Sequence, residues 1–255
     1  MDQEYIDQAL VSAVIPAFNE ETTIGEIVEI LHRNPLVGDV IVVDDGSTDR
    51  TAVRAQRAAA LVCSLYPNQG KGWAMMKGVE LARHEIIFFL DADIKGLTAE
   101  MVTQLITPVI SGRYEMFVAI RDRKIYLLNM LLHFTPILGG ERVLTKALWY
   151  RVPNKYKENF QIEIALNYYV KKWGKKMGFT TMPGLTQVIK EKKRGLVLGI
   201  YQRILMMRDL MTVAVELYIL GSCRIIGRKL GIPIIVTGKK WVRHLSDRVG
   251  SEGRD

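Results

Sequence analysis

The hydrophobic positions of the N-terminal half form short, nearly continuous apolar runs. Three of them cover residues 11–15, 40–43 and 86–90. Apolar runs of this length without polar alternation are typical of strands that are buried on both faces of a sheet. The sequence therefore predicts three central strands, and a polar cluster lies at or just beyond the end of each.

Segments with helical spacing separate these strands. Apolar residues three or four positions apart predict a helix over residues 24–34, with Thr22 or Thr23 as its N-cap. A second helix is expected to begin at Ser47 and to continue through residue 60, and a third is expected over residues 72–82. Strands that alternate with helices predict an α/β fold with a mainly parallel central sheet and right-handed crossovers. Ligands of such folds bind at the carboxyl ends of the strands.

The charge of the chain indicates an acidic partner. The 255 residues carry a formal net charge of +8, which suits a nucleoside diphosphate, an anionic lipid surface or a nucleic acid. A nucleic-acid partner is not expected, because the chain has no recognised motif for one and no evident surface of aromatic and basic residues.

The cysteines and the N-terminus predict a cytoplasmic protein. Cys63 and Cys223 lie far apart, with neither the spacing of metal ligands nor a disulfide framework. The first ten residues have no basic segment typical of a secretory signal peptide. These features are also compatible with peripheral contact with the inner face of the membrane.

Acidic residues follow two of the predicted strands. Asp44 and Asp45 follow the apolar residues VIVV, and Asp91 and Asp93 follow EIIFFL. Two carboxylates one residue apart at a strand end can recruit a divalent cation, which neutralises the diphosphate of a sugar nucleotide. The pattern therefore predicts a nucleotide-sugar site.

Four motifs together resemble a family of enzymes. PAFNE at 16–20, VVDDGSTD at 42–49, NQGKG at 68–72 and FFLDAD at 88–93, in this order and spacing, resemble a family 2 glycosyltransferase. Each motif alone is weak, since DDGS is also an ordinary turn and a lone DxD is common, but the ordered set is specific. The resemblance covers about residues 10–195 and implies one nucleotide-diphospho-sugar transferase domain with the Rossmann-like glycosyltransferase A fold.

The resemblance implies a nucleoside pocket lined by Pro16, Ala17, Asn19 and Glu20. Asp45 would accept a hydrogen bond from the base, and Asp44 would support the loop. For Asn19 and Glu20 the alternative is turn and helix-cap chemistry.

The resemblance also places a metal and the diphosphate. Asp91 would hold the ribose or the water shell of the metal, and Asp93 would bind Mg²⁺ or Mn²⁺ directly, since hard cations prefer carboxylate oxygens. Both aspartates are thus the expected metal site. Lys71 would contact the nucleotide. The alternative is a solvated lysine side chain.

The acceptor side is expected in the second half. A Gly-Gly turn precedes Glu141 and Arg142, and a helical run through Leu144, Ala147 and Leu148 follows. Related enzymes that make polyprenyl phosphate sugars imply that Arg142 stabilises the charge of the diphosphate, although an arginine at a helix start can also be merely exposed.

Glu163 belongs to the helical segment 158–174, whose FQIE sequence resembles the acceptor-side helix of dolichol-phosphate mannose synthases. It is the candidate general base, which a hydroxyl acceptor needs and an ionised phosphate acceptor does not. The alternative is a packed helix with Glu163 at its edge.

A basic segment follows the predicted core. By resemblance, residues 188–199 close over the donor, and Lys193 and Arg194 are the strongest candidates for contact with phosphate among the four cations Lys190, Lys192, Lys193 and Arg194. A solvated face is the alternative.

One position departs from the dolichol-phosphate mannose synthase pattern. Lys95 stands where those enzymes often have a glutamine ligand, and an ammonium group cannot bind a cation. The residues that follow also resemble glucosyl-3-phosphoglycerate synthases.

The C-terminal region differs in composition. Residues 196–245 mix apolar stretches with charges, and no uninterrupted apolar run approaches the roughly 20 residues of a membrane span. Amphipathic helices are expected there, which would pack on the core, form a homo-oligomer or lie on an anionic membrane. The predicted organisation is a catalytic domain over 1–195 and a helical extension over 196–255.

These patterns predict metal-dependent transfer of a sugar from a nucleoside diphosphate sugar to a polyprenyl phosphate or another lipid-linked acceptor. A small soluble acceptor, as in glucosyl-3-phosphoglycerate synthases, and a non-catalytic nucleotide-sugar-binding scaffold are the alternatives. The scaffold is less favoured because Asp45, Asp91 and Asp93 are all present.

Overall fold

The computed structural model describes residues 10–121, 139–157, 161–187, 212 and 215–220. Its main feature is a seven-stranded sheet with the order β3-β2-β1-β4-β7-β6-β8. The strands are β1 (Val11–Ala17), β2 (Val37–Asp44), β3 (Leu61–Ser64), β4 (Ile86–Phe89), β6 (Met116–Arg121), β7 (Arg142–Thr145) and β8 (Met177–Met182). β7 runs antiparallel to both of its neighbours, and every other neighbouring pair is parallel. The predicted α/β fold with a mainly parallel sheet is confirmed.

Two short strands form a separate antiparallel pair. They are β5 (Ile94–Lys95) and β9 (Thr186–Gln187). Because β5 follows the FFLDAD motif directly, this pair ties the segment after β8 to the predicted metal site.

Helices connect and cover the strands. They are α1 (Ile24–His32), α2 (Thr51–Arg57), α3 (Lys71–Leu81), α4 (Ala99–Ile110), α5 (Lys146–Arg151) and α6 (Gln161–Lys172), with a 3-10 turn at Asn154–Tyr156. Side chains of successive strand residues point to opposite faces of the sheet. Ala13 and Ile15 of β1 accordingly join the core under α1 and α4, and Val14 between them lies against Gly78 of α3 on the other face. Helices thus cover both faces, which explains why the central strands are apolar throughout.

The predicted helix bounds hold for α1 and α3 and are wrong for α2. Ser47 does not begin a helix, because its N–H donates to Asp44 Oδ1 (3.2 Å) and its Oγ accepts from the N–H of Asn19 (2.9 Å). The helix begins four residues later, where Asp49 Oδ1 accepts from the N–H of Thr51 (2.9 Å). Thr23 is the N-cap of α1, but its hydroxyl donates to the carbonyl of Ala92 (2.5 Å) instead of capping the helix.

A second correction concerns the segment after the Gly-Gly turn. Arg142 and Leu144 were expected at the start of a helix, but they lie in strand β7, which pairs with β4 and β6. The helix begins only at Lys146, where Thr145 Oγ1 accepts from the N–H of Leu148 (3.2 Å).

The chain divides into two compact units, residues 1–213 and 214–255. In the second unit, Val215–Leu220 form a π-helical segment, and most of the predicted amphipathic region over 196–245 lies outside the described residues. None of the described helices is long and apolar enough to cross a membrane.

Candidate active site

The three predicted motif clusters meet at one edge of the sheet. Pro16 and Ala17 end β1, Asp44 ends β2, and Asp91 lies two residues beyond the end of β4. Because these strands are adjacent and parallel, their carboxyl ends lie side by side. The sequence predicted this arrangement.

Asp45 fixes the loop that carries the NQGKG motif. Its Oδ1 accepts from the N–H of Gln69 and its Oδ2 from the N–H of Gly70, each at 2.7 Å, while Asn68 Nδ2 donates to its carbonyl (2.8 Å). Both carboxylate oxygens therefore have protein partners, and a contact with a nucleotide base, as the resemblance implies, would add to these bonds or replace one.

Asn19 and Glu20 belong to a tight turn. Asn19 has a positive φ of 56° and accepts from the N–H of Thr48 through Oδ1 (2.8 Å). Glu20 is buried, and its N–H donates to Thr51 Oγ1 (2.8 Å). These bonds join the ends of β1 and β2. They match the turn chemistry that was the alternative to a nucleoside pocket. A contact of Asn19 or Glu20 with a nucleoside stays a prediction.

Asp91 is held by two cations. Lys71 Nζ lies 2.8 Å from Oδ1 and Arg121 Nη2 lies 2.8 Å from Oδ2. Burial raises the pKa of Asp91, but the charges of Lys71 and Arg121 outweigh it and hold the pKa below its usual value. Burial likewise lowers the pKa of Lys71, and the nearby Asp91 and Glu163 reverse this to a net increase. The pair is therefore ionised, and Lys71 is not the solvated side chain of the alternative.

Arg121 also pairs with a buried glutamate. Its Nε lies 3.1 Å from Oε2 of Glu141, an ion pair without hydrogen-bond geometry, and the Glu141 carboxylate has no hydrogen-bond partner among the described residues. Burial, together with the charge of Asp91, raises the pKa of Glu141 to about 7. Glu141 therefore changes its protonation near neutral pH.

The Gly-Gly turn brings backbone close to Asp91. A Cβ on Gly140 would lie 2.1 Å from Asp91 Oδ2, and a Cβ on Gly139 would lie 2.5 Å from the carbonyl oxygen of Ala119. Only glycine fits these approaches, so this turn is required for the cluster to assemble.

Arg142 and Glu163 lie beneath the turn. Arg142 is 1% exposed, and its Nε and Nη2 donate to the carbonyl of Gly139 at 3.0 and 2.6 Å. Glu163, in the first turn of α6, lies 3.4 Å from Lys71 Nζ and 3.9 Å from Arg142 Nη2. Arg142 is therefore not exposed, and its guanidinium supports the turn and contacts Glu163 of α6.

Asp93 offers a carboxylate oxygen that suits a metal. Gln187 Nε2 donates to Oδ2 (2.6 Å), while Oδ1 is buried and has no hydrogen-bond partner in the described structure. A buried oxygen of this kind normally has a partner, and a hard cation is a fitting one. Asp91 uses both of its oxygens for Lys71 and Arg121, so Asp93 is the better fitted ligand. No group of three or more His, Cys, Asp or Glu side chains within the described ranges is arranged to hold a metal.

Gln187 reaches Asp93 from β9, which pairs with β5. Lys95 is exposed and faces Thr186 across this pair, and the described structure gives it no contact with Asp93. Lys190, Lys192, Lys193 and Arg194 lie outside the described residues, and their contacts stay predictions.

Three residues of this site were missed at the sequence level: Arg121, Glu141 as a charged partner, and Gln187. Arg121 ends the apolar run MFVAI, and a cation at the end of such a run was a usable signal. Gln187 gave no signal, because it reaches Asp93 only through the pairing of β5 with β9.

Comparisons with known proteins find relatives of this chain. A glucosyl-3-phosphoglycerate synthase of Mycolicibacterium smegmatis is 37% identical over 112 residues, 40% of this chain and 36% of that protein. A dodecaprenyl-phosphate galacturonate synthase of Rhizobium johnstonii is 36% identical over 94 residues, 33% of this chain and 28% of that protein. The aligned part thus spans about a third of the length of these relatives.

Solved structures share the fold. The glucosyl-3-phosphoglycerate synthase of Mycobacterium tuberculosis, in complex with Mn²⁺, UDP-glucose and phosphoglyceric acid, is 22% identical, with a TM-score of 0.67 over 81% of this chain and 80% of that one. This likeness confirms the glycosyltransferase A fold that the motifs implied. The model of the family described as Glycosyl transferase family 2 matches residues 12–167, and the chain belongs to that family.

Proposed function

We propose that this protein transfers a sugar from a nucleoside diphosphate sugar to an acceptor that carries a phosphate, with a polyprenyl phosphate or another lipid-linked phosphate as the leading candidate. The observation that carries the proposal is the buried Oδ1 of Asp93 at the carboxyl edge of the sheet, which has no hydrogen-bond partner among the described residues. It lies next to a cluster in which Lys71 and Arg121 are held on Asp91.

Asp93 would hold Mg²⁺ or Mn²⁺ through this oxygen, and the ion, when bound, supplies positive charge that neutralises a diphosphate. Gln187 keeps the other oxygen of Asp93 occupied. This bond orients the carboxylate, since only one oxygen is left to face a ligand.

Lys71 and Arg121 are the cations best placed to stabilise a departing diphosphate. Asp91 holds both at one edge, so that they are oriented before a substrate arrives, and preorganised charges of this kind favour a transition state that develops negative charge. Arg142 was the sequence candidate for this role, but its bonds to Gly139 give it a positioning role in our proposal.

The acceptor decides what Glu163 does. A hydroxyl acceptor needs a base to take its proton, whereas a phosphate acceptor is already ionised. The carboxylate lies near Lys71 and Arg142, an arrangement that suits a residue orienting Lys71. This contact favours the phosphate oxygen as the nucleophile.

A small phosphorylated acceptor is the second candidate. It is supported by the relatives named glucosyl-3-phosphoglycerate synthase, one of them 37% identical over 112 residues. Phosphoglycerate would be attacked through its hydroxyl, so Glu163 would then act as the general base.

Glu163→Gln separates the two acceptors. We expect the variant to keep most transfer to a polyprenyl phosphate and to lose at least about a hundredfold in transfer to 3-phosphoglycerate, since general-base catalysis contributes about 10²–10⁴-fold. Radiolabelled sugar incorporation measures both. An equal loss on the two acceptors would show that Glu163 is not a base and acts only through Lys71.

The first experiment is a binding panel. UDP-, GDP-, ADP- and TDP-sugars are titrated by calorimetry and thermal shift with and without Mn²⁺, because a ligand that binds the native state stabilises it by mass action. Metal-dependent binding of one donor, followed by transfer to either acceptor, supports the proposal. Binding without transfer would favour a nucleotide-sugar-binding scaffold, and a folded protein that binds none of the four would contradict both.

A further inference from the structure

Two segments of the chain carry many cations and no acidic residue. Residues 146–157 contain Lys146, Arg151, Lys155 and Lys157, and residues 168–176 contain Lys171, Lys172, Lys175 and Lys176. Neither segment has an aspartate or a glutamate. Together they hold eight of the 35 lysines and arginines of the chain in 21 residues, so the positive charge is concentrated here.

The fold brings the two segments into contact. The guanidinium carbon of Arg151, at the end of α5, lies 5.5 Å from the ring centre of Trp173, just beyond α6. The Tyr156 and Tyr169 rings are 6.4 Å apart, with Lys155 over the first and Lys172 over the second. We call this the basic aromatic surface and define it by Tyr150, Arg151, Lys155, Lys171, Lys172 and Trp173. Such a surface was not expected from the sequence, because its two halves are separate in the chain.

Large aromatic side chains are exposed on this surface. Trp173 is 53% exposed and Tyr150 is 64% exposed. Trp173 lies in the sequence KKWGKK, so lysines flank it on both sides. Tryptophan and tyrosine have an apolar ring with a polar group, which is why both are enriched at membrane–water interfaces.

Local effects account for part of the charge. Lys171 and Lys172 occupy the last turn of α6, where cations interact favourably with the helix dipole. Lys175 pairs with Glu115 at 2.9 Å. These effects explain neither the exposed rings nor the lack of acidic residues across both segments.

We propose that the basic aromatic surface binds the anionic face of a phospholipid bilayer. Lysine side chains can place their ammonium groups among lipid phosphates while their methylene stems cover apolar surface, and each basic residue near an anionic leaflet adds to the attraction. The rings of Trp173 and Tyr150 would lie at the level of the head groups. The proposal rests on neither the donor nor the acceptor, so it stands or falls separately from the transferase activity.

The test is co-sedimentation of the full chain with vesicles. Vesicles of phosphatidylcholine alone are compared with vesicles containing a quarter phosphatidylglycerol, at low and at high salt. We expect binding only to the anionic vesicles and weaker binding at high salt, because salt screens exposed charges. Lys171→Glu/Lys172→Glu should weaken binding by at least about tenfold.

Matched controls separate this surface from general charge. Arg54→Glu/Arg57→Glu makes the same change in net charge at two exposed arginines of α2 and should keep the binding. Brominated lipid should quench the fluorescence of Trp173, so this quenching should be lost in Trp173→Phe. The control Trp73→Phe removes a tryptophan that is 50% exposed on α3, and it should keep the quenching. Thermal unfolding verifies that each variant is folded.

Three results would overturn the proposal. One is no binding of the wild-type chain to anionic vesicles. Another is equal loss in the α2 control, which would mean that net charge alone drives binding. The third is binding of a single-stranded RNA oligonucleotide that depends on Lys171 and Lys172, together with no binding of vesicles. That result would assign the surface to nucleic acid.

Discussion

Asp91 and Asp93 are separated by one residue and have different environments. Asp91 has both oxygens on cations, whereas Asp93 has one oxygen on Gln187 and one without a hydrogen-bond partner among the described residues. The DxD pattern treats the two aspartates alike, and the structure distinguishes them. A residue that holds cations in place and a residue that offers an oxygen should respond differently to the same substitution.

Substituting each aspartate with asparagine tests this difference. Asp93→Asn should leave the melting temperature unchanged and abolish the additional stabilisation that Mn²⁺ gives to donor binding, because the ligand charge is lost. Asp91→Asn should destabilise the fold by roughly 3 kcal/mol, because it removes the buried negative charge that Lys71 and Arg121 share. Denaturant unfolding and thermal shift with donor and Mn²⁺ measure both effects. A destabilised Asp93→Asn that still shows metal-dependent binding would reverse the two roles.

Glu141 gives the site a predictable pH dependence. Its pKa is raised from 4.5 to about 7 by burial and by the charge of Asp91, so the folded state holds a proton that the unfolded state has lost. This contribution to stability is complete below pH 4.5 and disappears as the pH rises through about 7. Glutamine resembles the protonated form and does not titrate. The melting temperature of Glu141→Gln minus that of the wild type should therefore increase from pH 5 to pH 8, and a difference that does not change with pH would contradict the assignment.

At the scale of elements, sequence patterns predicted those features that depend on residues close together in the chain. The strand-end positions of Asp44 and Asp91 followed from short apolar runs, because a strand buried on both faces needs such a run. Strand β7 was mistaken for the start of a helix, because its pairing with β4 and β6 is not visible in its own four residues. The contact of Arg121 with Asp91 depends on the same pairing, so it could not be predicted before the sheet order was known.

The packing of α3 on β1 depends on one glycine. A Cβ on Gly78 would lie 2.2 Å from Val14 Cγ1, so Gly78→Ala should force α3 away from the sheet and cost about 1–3 kcal/mol. Gly25 in α1 has no atom within 4 Å of the equivalent position, and Gly25→Ala should stabilise the protein by up to about 1 kcal/mol through helix propensity.

A double-mutant cycle separates the clash from other effects of Gly78→Ala. Val14→Ala removes the clashing methyl group, so Gly78→Ala should cost much less in that background than in the wild type. Urea unfolding gives the four free energies. Equal costs in both backgrounds would mean that Val14 is not the obstacle and that α3 is displaced for another reason.

At the scale of the molecule, the candidate site and the apolar core belong to the unit that spans residues 1–213. Every described contact of Asp91, Asp93 and Glu163 lies within it. The family match ends at residue 167, yet Gln187 and strand β8 lie beyond this limit. In our proposal the catalytic part of the chain therefore extends past the family match, through β9.

A pair of truncated chains tests this division. We propose that a chain ending at Val213 folds cooperatively and keeps metal-dependent donor binding, because the described core and the candidate site lie within it. A chain ending at Lys157 lacks α6, β8 and β9, so it loses Glu163, Gln187 and the strand that pairs with β6. It should show no cooperative unfolding by circular dichroism and no donor binding by calorimetry. If the chain ending at Val213 also fails to unfold cooperatively, residues 214–255 are needed for the first unit to fold, and the division into independent parts is wrong.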